Sequence, residues 1–268
     1  MQYFGFFKAL NELNIPNSVS YDLYEKALAK YYDKMLGNSV YDIEVYLKNA
    51  YIHGDSILEL ACGSGRLTIP IAKRGFQITG IDLSADMLEI LKEKLEKNSM
   101  RVREKITLHQ YDMTDFALSQ KFSLVILPAT SISLLLKDEQ IQSLFRCVYN
   151  HLEKGGRFVF DYRIADYVIN NPDFGKPHFY TWNHDDYTKE FLLFAEDLCL
   201  AEYQTKVNFY AELIENTTTK RFFGSSTKRL INDGIIDMAR SENFELVDTY
   251  IQELSKYEVV KYVTLERQ

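Results

Sequence analysis

The sequence predicts an α/β protein built around a doubly wound, mostly parallel sheet with an antiparallel last strand. Three observations predict this fold class. Apolar runs typical of strands alternate with helical patterns between residues 57 and 161. A strand, a glycine turn and the start of a helix follow one another within residues 57–72. Between residues 176 and 223, aromatic and β-branched runs separated by polar turns predict an inserted antiparallel sheet.

Composition limits the partners and the compartment of the chain. Hydrophobic residues make up 46% of the 268 positions, which is enough for a sizeable core, and the formal net charge is -7. Such an acidic chain has no global field that attracts nucleic acid or an anionic membrane, so we expect neither partner. The three cysteines are far apart and form no Cys-x-x-Cys pair, which predicts a reducing compartment and no metal site.

The N-terminal 50 residues predict a helical cap. One helix is expected to begin at Ser20, a capping residue, and to end at Gly37. The first residues form neither a basic leader nor a long apolar segment, and no later uncharged run is long enough to span a bilayer. We therefore expect a cytoplasmic protein.

Residues 51–170 and 225–268 predict the main domain, into which residues 171–224 are inserted. A parallel sheet follows from the alternation of strands and helices. A last helix at 227–241 and two β runs near 244–251 and 257–265 close the sheet with an antiparallel pair. The alternating elements are strand 57–61, helix 66–74, strand 77–81, helix 84–97, strands 105–110 and 122–127, helix 138–152 and strand 156–161.

The glycine turn predicts a nucleotide site. Gly63 and Gly65 precede a helix whose N-terminal N–H groups and positive dipole end favour such a ligand. Asp82 ends the next strand at the same edge of the sheet, where its carboxylate can accept both ribose hydroxyls. Capping the following helix is the alternative role for Asp82, although Ser84 can act as that cap. A nicotinamide cofactor would require a third glycine where Thr68 stands.

The run from Leu58 to Leu88, with its Glu59-x-Ala61-x-Gly63-x-Gly65 motif, resembles class I S-adenosylmethionine-dependent methyltransferases of the small-molecule, N-methyltransferase-like branch. The resemblance extends from about residue 20 and is strongest over residues 55–165. It implies a Rossmann-like domain that binds S-adenosyl-L-methionine and acts on a small molecule. The cofactor-binding residues that it implies are Glu59, Ala61, Gly63, Gly65, Arg66, Asp82, Leu83, Met87, Asp112, Met113 and Pro128.

The same resemblance implies roles for single residues. Asp112 would bind the adenine amine with Met113 against the ring, and ending a strand with a polar residue is the alternative role for Asp112. Asp161 would point toward the pocket from the end of the fifth strand. Tyr32 would close the site from above, with amphipathic core packing as its alternative. Leu134 stands where related enzymes often carry a histidine that assists proton removal.

The inserted sheet is expected to roof the pocket and to contact the acceptor. An equally good alternative is that its exposed aromatic side chains form a homodimer interface. The candidates for taking the proton of the acceptor or orienting the neutral amine are Asp161, His178, His184 and Tyr32, of which Asp161, His178 and Tyr32 are our predicted catalytic residues. The candidates for acceptor contact in the insertion are His178, Tyr180, Trp182, His184, Tyr210 and Arg221.

Together these features predict an enzyme that transfers a methyl group to a small-molecule acceptor, with an amine nitrogen as the first choice, by in-line displacement. Methylation of a hydroxyl is the alternative reaction. Leu134 leaves open a protein that binds the cofactor without turnover. A nicotinamide oxidoreductase is disfavoured by Thr68.

Overall fold

The structure is a computed structural model that describes residues 3–37, 39–185 and 187–268. The chain divides into two compact units. The larger unit comprises residues 37–170 and 230–268, and the smaller unit comprises the residues up to 36 together with 171–229. Among the described residues, none of the helices has the length and apolar character needed to cross a membrane.

In its described residues, the larger unit contains seven strands and the helices that cover them. The strand Ile57–Leu60 (β2) is buried at all four positions, as expected for a parallel strand covered on both faces. Its elements are α3 (Ile43–His53), β2 (Ile57–Leu60), α4 (Thr68–Lys73), β3 (Ile78–Asp82), α5 (Ala85–Glu96), α6 (Met100–Arg103), β4 (Ile106–Gln110), β5 (Phe122–Leu127), α7 (Asp138–His151), β6 (Leu152–Arg163), α8 (Ala165–Ile169), α9 (Gly234–Ser241), β11 (Phe244–Ser255) and β12 (Glu258–Arg267).

The sheet of the larger unit has the strand order β11-β12-β6-β5-β2-β3-β4. The five strands from β6 to β4 are parallel, whereas β12 is antiparallel to β6 and to β11. One core cluster contains side chains of α7 and α9, and a second contains side chains of α3 and α4. The predicted doubly wound, mostly parallel sheet is confirmed, and its order reverses between β2 and β5.

The described part of the smaller unit contains a five-stranded sheet with the order β1 (Ser18–Asp22), β10 (Thr218–Arg229), β9 (Gln204–Glu215), β8 (Thr188–Cys199) and β7 (His178–Asn183). Adjacent β9 residues point to opposite faces, so Tyr210 packs with Phe7 of the first helix while Phe209 packs with Leu28 of the second. A helix therefore covers each face of this sheet. The elements are α1 (Gly5–Glu12), β1 (Ser18–Asp22), α2 (Lys26–Leu36), β7 (His178–Asn183), β8 (Thr188–Cys199), β9 (Gln204–Glu215) and β10 (Thr218–Arg229).

Two predicted helix boundaries are wrong, because β10 forms more pairs than its sequence suggests. The helix expected from Ser20 begins at Lys26, since Ser18–Asp22 is a strand that pairs in parallel with β10. The helix expected from residue 227 begins at Gly234, since β10 pairs with β9 as far as Arg229. The N-terminal cap predicted over residues 1–50 is likewise divided, with α2 in the smaller unit and α3 in the larger.

Candidate cofactor site

The loop between β2 and α4 makes a tight turn at the carboxyl end of the sheet. Its backbone is left-handed at Ala61, Gly63 and Gly65, with φ of 51°, 54° and 81°. The Gly65 N–H donates to the Cys62 carbonyl over 3.0 Å and closes the turn. A Cβ at Gly65 would lie 2.1 Å from Cδ1 of Leu91 on α5, so only glycine fits there. The loop therefore offers bare backbone at the point where the sequence predicts a ligand.

Asp82, at the end of β3, lies against this loop. Its Oδ2 accepts the Gly63 N–H over 2.8 Å, and its Oδ1 accepts the Ser84 N–H over 2.8 Å. Burial raises the pKa of Asp82, while these two N–H donors act in the opposite direction. Ser84 caps α5 by accepting the Met87 N–H over 3.1 Å, as predicted. Because an ionised carboxylate offers about four lone pairs, Asp82 keeps acceptor capacity for two hydroxyls.

Glu59 and Arg66, both predicted cofactor ligands, are engaged with other protein groups. The Thr68 hydroxyl donates to Glu59 Oε2 over 2.6 Å, and burial raises the pKa of Glu59 to about 8. The Arg66 guanidinium pairs with both carboxylate oxygens of Asp42, with Nη2 lying 2.6 Å from Oδ2. Asp42 is fully buried, so this pair ties the start of α3 to the glycine loop.

The remaining predicted cofactor residues follow β3, β4 and β5. Leu83 is 66% exposed, and Met87 is buried beneath the glycine loop, where its Cε would lie 3.1 Å from a Cβ at Gly63. Asp112 accepts the Thr114 N–H and hydroxyl, each over 2.8 Å, and Met113 packs on the main core. Gln110 at the end of β4 pairs with Asp82, so Asp112 follows the strand next to the ribose candidate.

The loop after β5 is also left-handed, at Ala129 and Thr130, with φ of 59° and 55°. The Thr130 N–H donates to Asp161 Oδ2 over 2.8 Å, and the Tyr46 hydroxyl donates to Asp161 Oδ1. Asp161 has 0% of its surface exposed, and burial raises its pKa to about 7. Asp161 is expected to point toward the pocket, and in the structure Tyr46 and Thr130 enclose its carboxylate.

The other predicted catalytic residues, Tyr32 and His178, belong to the smaller unit. The Tyr32 ring lies edge-on to Tyr24 at a centroid distance of 5.0 Å. His178 is exposed and stacks on Phe194 at 5.1 Å. Tyr180 lies parallel to the same phenylalanine at 6.0 Å, so the structure brings these predicted acceptor contacts into one row.

Four further candidates of the inserted sheet have partners within the smaller unit. Tyr210 donates its hydroxyl to Glu212, and Arg221 Nε donates to the same carboxylate over 2.9 Å. His184 Nε2 lies 3.2 Å from Glu190 Oε2. Trp182 stacks on Tyr180 at a centroid distance of 5.8 Å. Tyr210 and Arg221, both predicted to contact the methyl acceptor, thus bond to Glu212.

The sequence did not single out Asp42 and Tyr46. Both lie at the start of α3, where an aspartate and a tyrosine read as a cap and a core residue. Asp42 contacts Arg66, 24 positions away along the chain, and Tyr46 contacts Asp161, 115 positions away. A short sequence pattern therefore predicts neither contact.

Comparison with known proteins agrees with this geometry. Residues 57–156 match a family described as a methyltransferase domain. A protein of Geobacillus sp. (strain WCH70) with a provisional methyltransferase name is 30% identical over 142 residues, or 51% of this chain and 56% of that protein. The dTDP-3-amino-3,4,6-trideoxy-alpha-D-glucopyranose N,N-dimethyltransferase of Streptomyces venezuelae is 32% identical over 115 residues, or 43% of this chain and 45% of that enzyme. The chain thus spans about half the length of the curated relatives it matches.

A solved structure extends the agreement in fold to most of the chain. The sugar N-methyltransferase KedS8 from Streptoalloteichus sp ATCC 53650 aligns with a TM-score of 0.73, over 93% of this chain and 98% of that one. The sequence identity is 17%, so this similarity concerns the fold. Residues 57–156 thus match a methyltransferase domain, and the fold of most of the chain is similar to that of a solved N-methyltransferase.

Proposed function

We propose that this protein transfers a methyl group from S-adenosyl-L-methionine to an amine nitrogen of a small-molecule acceptor. The observation that carries the proposal is the contact between Asp82 and Gly63, which joins the acidic end of β3 to the bare loop after β2. A relative that methylates the amino group of a nucleotide-linked sugar supports the choice of an amine.

The residues at this edge of the sheet fit the cofactor. The left-handed loop at Gly63 and Gly65 leaves its backbone without side chains, and Asp82 retains lone pairs for ribose hydroxyls. Asp112 and Met113 follow the adjacent strand, and Pro128 follows β5 on the other side. When bound, S-adenosyl-L-methionine supplies a methyl group on a positively charged sulfur.

Because the cofactor supplies the methyl group, the protein's own contribution is to place the acceptor close to it. Holding an acceptor in a near-attack geometry and excluding water can lower a barrier by roughly 7–11 kcal/mol at best. An ammonium has no free lone pair, so the acceptor must be neutral before it reacts. Tyr32 and His178 are our candidates for accepting that proton or for orienting the neutral amine. Their contacts with Tyr24 and Phe194 hold each ring within the smaller unit.

An isotope-transfer experiment tests the reaction. The purified protein is incubated with methyl-labelled S-adenosylmethionine and, separately, with a nucleotide-linked amino sugar, a set of small amines, matched phenols and alcohols, total RNA and a protein extract. We expect label on an amine in the small-molecule samples. Label found only on hydroxyl compounds would favour O-methylation, and label found only on RNA or protein would contradict the acceptor class.

A binding experiment tests the cofactor separately. Calorimetry with S-adenosylhomocysteine and with NAD compares the two nucleotide classes on the same protein preparation. We expect binding of S-adenosylhomocysteine and none of NAD. The reverse result would overturn the cofactor assignment, whatever the acceptor proves to be.

We also infer a cytoplasmic location and a homodimer through the sheet of the smaller unit. The three cysteines are free, in line with a reducing compartment. For the dimer, the support is β7, an edge strand that carries Phe179 at 70% exposure. Sedimentation of the wild-type protein and of Phe179→Lys should show a dimer that this substitution weakens. A wild-type monomer would contradict the dimer.

A further inference from the structure

The loop that follows β5 has a backbone that its own residues disfavour. Ala129 and Thr130 are both left-handed, with φ of 59° and 55°, and neither is glycine. A residue with a Cβ is strained in that conformation, so adjacent left-handed residues persist only where surrounding contacts hold them. Groups that bond to this loop must therefore hold it in this conformation.

Asp161 supplies the main contact. Its Oδ2 accepts the Thr130 N–H over 2.8 Å, in the middle of the left-handed turn. Its Oδ1 accepts the Tyr46 hydroxyl, whose oxygen also lies 3.2 Å from the Leu127 carbonyl. Asp161 thus links α3, the end of β5 and β6 at one point.

The turn lies beside the glycine loop. β5 pairs in parallel with β2, with Ile126 opposite Glu59, so the loops that follow the two strands leave the sheet as neighbours. Pro128 immediately precedes the turn, and the Ser131 hydroxyl donates to the Pro128 carbonyl over 2.6 Å. A displaced turn would therefore carry Pro128 with it and change the edge of the cofactor site.

We propose that Asp161 is a positioning residue that, together with Tyr46, sets the Ala129–Thr130 turn beside the cofactor and does not take the proton of the acceptor. Burial argues against the proton-accepting role. The side chain has no exposed surface, so the lone pairs left by its two hydrogen bonds are closed off from an acceptor. The inference rests on the cofactor site proposed above and not on the identity of the acceptor.

The test compares Asp161→Asn with Asp161→Ala by calorimetry with S-adenosylhomocysteine. Asparagine keeps an oxygen for the Thr130 N–H, and its amide N–H can donate to the Tyr46 hydroxyl, which then accepts. We expect Asp161→Asn to bind within about twofold of wild type and Asp161→Ala to bind about tenfold more weakly. Equal affinity of Asp161→Ala and wild type, or an equal loss in both variants, would overturn the proposal.

A matched pair of tyrosine variants separates positioning from general stability. Tyr46→Phe removes the hydroxyl that donates to Asp161, and Tyr162→Phe removes a hydroxyl that donates to Asp233 over 2.6 Å from the adjacent position of β6. Both tyrosines are buried, but only Tyr46 reaches the turn. We expect weaker S-adenosylhomocysteine binding in Tyr46→Phe alone. Equal effects of the two substitutions would overturn the proposal, even if Asp161→Ala failed to fold.

Failure of this inference is distinguishable from failure of the proposed function. If the wild-type protein did not bind S-adenosylhomocysteine, the cofactor assignment itself would fail. If it bound and the Asp161 and Tyr46 variants bound equally well, only the positioning role would fail. Once an acceptor is known, a normal affinity with an abolished methyl-transfer rate in Asp161→Asn would restore the proton-accepting role and contradict ours.

Discussion

Two neighbouring loops of the larger unit are each held by an aspartate from an adjacent strand, but the two aspartates have different roles. The loop after β2 is held by Asp82 from the adjacent strand β3, and the loop after β5 is held by Asp161 from the adjacent strand β6. In each case the carboxylate accepts one loop N–H over 2.8 Å. The difference lies in the second oxygen: that of Asp82 accepts another backbone N–H, whereas that of Asp161 accepts the Tyr46 hydroxyl.

The surroundings of the two carboxylates distinguish a ligand-binding aspartate from a supporting one. Asp82 stays partly exposed and has lone pairs available for a ligand, whereas Asp161 is closed off. Asp82 ends β3, and Asp161 lies just beyond the last β6 residue that pairs with β5, so each lies one strand away from the place where the sheet order reverses and position alone does not separate them. The exposure of the carboxylate and the hydrogen-bond donor to its second oxygen separate the two aspartates.

Gly65→Ala should disturb the loop after β2 more than any other substitution proposed for the two loops. The new Cβ would lie 2.1 Å from Leu91 Cδ1 in a residue with φ of 81°. We expect the free energy of unfolding to fall by roughly 2–5 kcal/mol, from strain and overpacking together. Because the clash moves the loop away from Asp82, measurable S-adenosylhomocysteine binding should also be lost. Chemical denaturation and calorimetry measure the two effects.

Gly155→Ala is the matched control for Gly65→Ala. Gly155 has a similar φ of 75°, but nothing lies within 4 Å of its added Cβ. We expect a cost of about 1–2 kcal/mol in unfolding free energy, from backbone strain alone, and unchanged cofactor binding. If the two alanine variants were equally unstable, the contact with Leu91 would not matter.

Substitution by asparagine should weaken cofactor binding at Asp82 much more than at Asp161. At Asp82 both oxygens face backbone N–H donors, so the amide N–H₂ of Asp82→Asn would meet a second donor and leave it without an acceptor. We expect S-adenosylhomocysteine to bind more than about tenfold more weakly to this variant, measured by calorimetry.

Asp115→Asn is the control for Asp82→Asn. Asp115 is an exposed carboxylate in the loop after β4, so its replacement should leave cofactor affinity unchanged. An unchanged affinity in Asp82→Asn would remove the reason for assigning Asp82 to the ribose.

The buried acid Glu59 should make stability depend on pH. Its pKa in the folded protein is about 8, above the ordinary value of 4.5, so its contribution to stability is complete at low pH and is lost as pH rises toward 8. Glu59→Gln removes this titration while keeping an uncharged side chain of similar shape. We expect the melting temperature of the variant, relative to wild type, to rise between pH 5 and pH 8. Scanning calorimetry across that range measures the difference.

Asp161→Asn should change the pH dependence in the same direction over a narrower range. The pKa of Asp161 is about 7, and its ordinary value is 3.8. Parallel pH profiles of wild type and of Glu59→Gln would contradict the assignment of a neutral, buried Glu59 at neutral pH.

The smallest effects are expected from glycine at the left-handed alanines. Ala61→Gly and Ala129→Gly relieve positive φ angles of 51° and 59° in the two loops. Because the entropic cost of glycine offsets part of this relief, we expect each unfolding free energy to change by less than about 1 kcal/mol. In an Asp161→Ala background, Ala129→Gly should recover part of the lost S-adenosylhomocysteine affinity, and Ala61→Gly should not. Equal recovery by both would contradict a specific role of Asp161 in the β5 loop.

The sequence predicted the larger unit well because local patterns determine it. The four buried residues of Ile57–Leu60, the glycines after them and the Ser84 cap lie within thirty positions of one another. The strand Ser18–Asp22 could not be predicted in this way, because it is short, largely exposed and paired with residues 221–225. The enclosure of Asp161 depends on Tyr46 from a distant helix, so sequence shows the carboxylate but not its surroundings.

The parallel pairing of β1 with β10 has a consequence for synthesis on the ribosome. Residues up to 36 form one compact unit with residues 171–229, so the earliest segment of this unit emerges long before its partner strands exist. At about 5–20 residues per second, translation from residue 36 to residue 229 takes roughly 10–40 s. Throughout this time Leu23, Leu28 and Phe7, buried in the finished protein, are without the strands that cover them. The nascent chain therefore offers a holding chaperone an apolar target that the mature protein conceals.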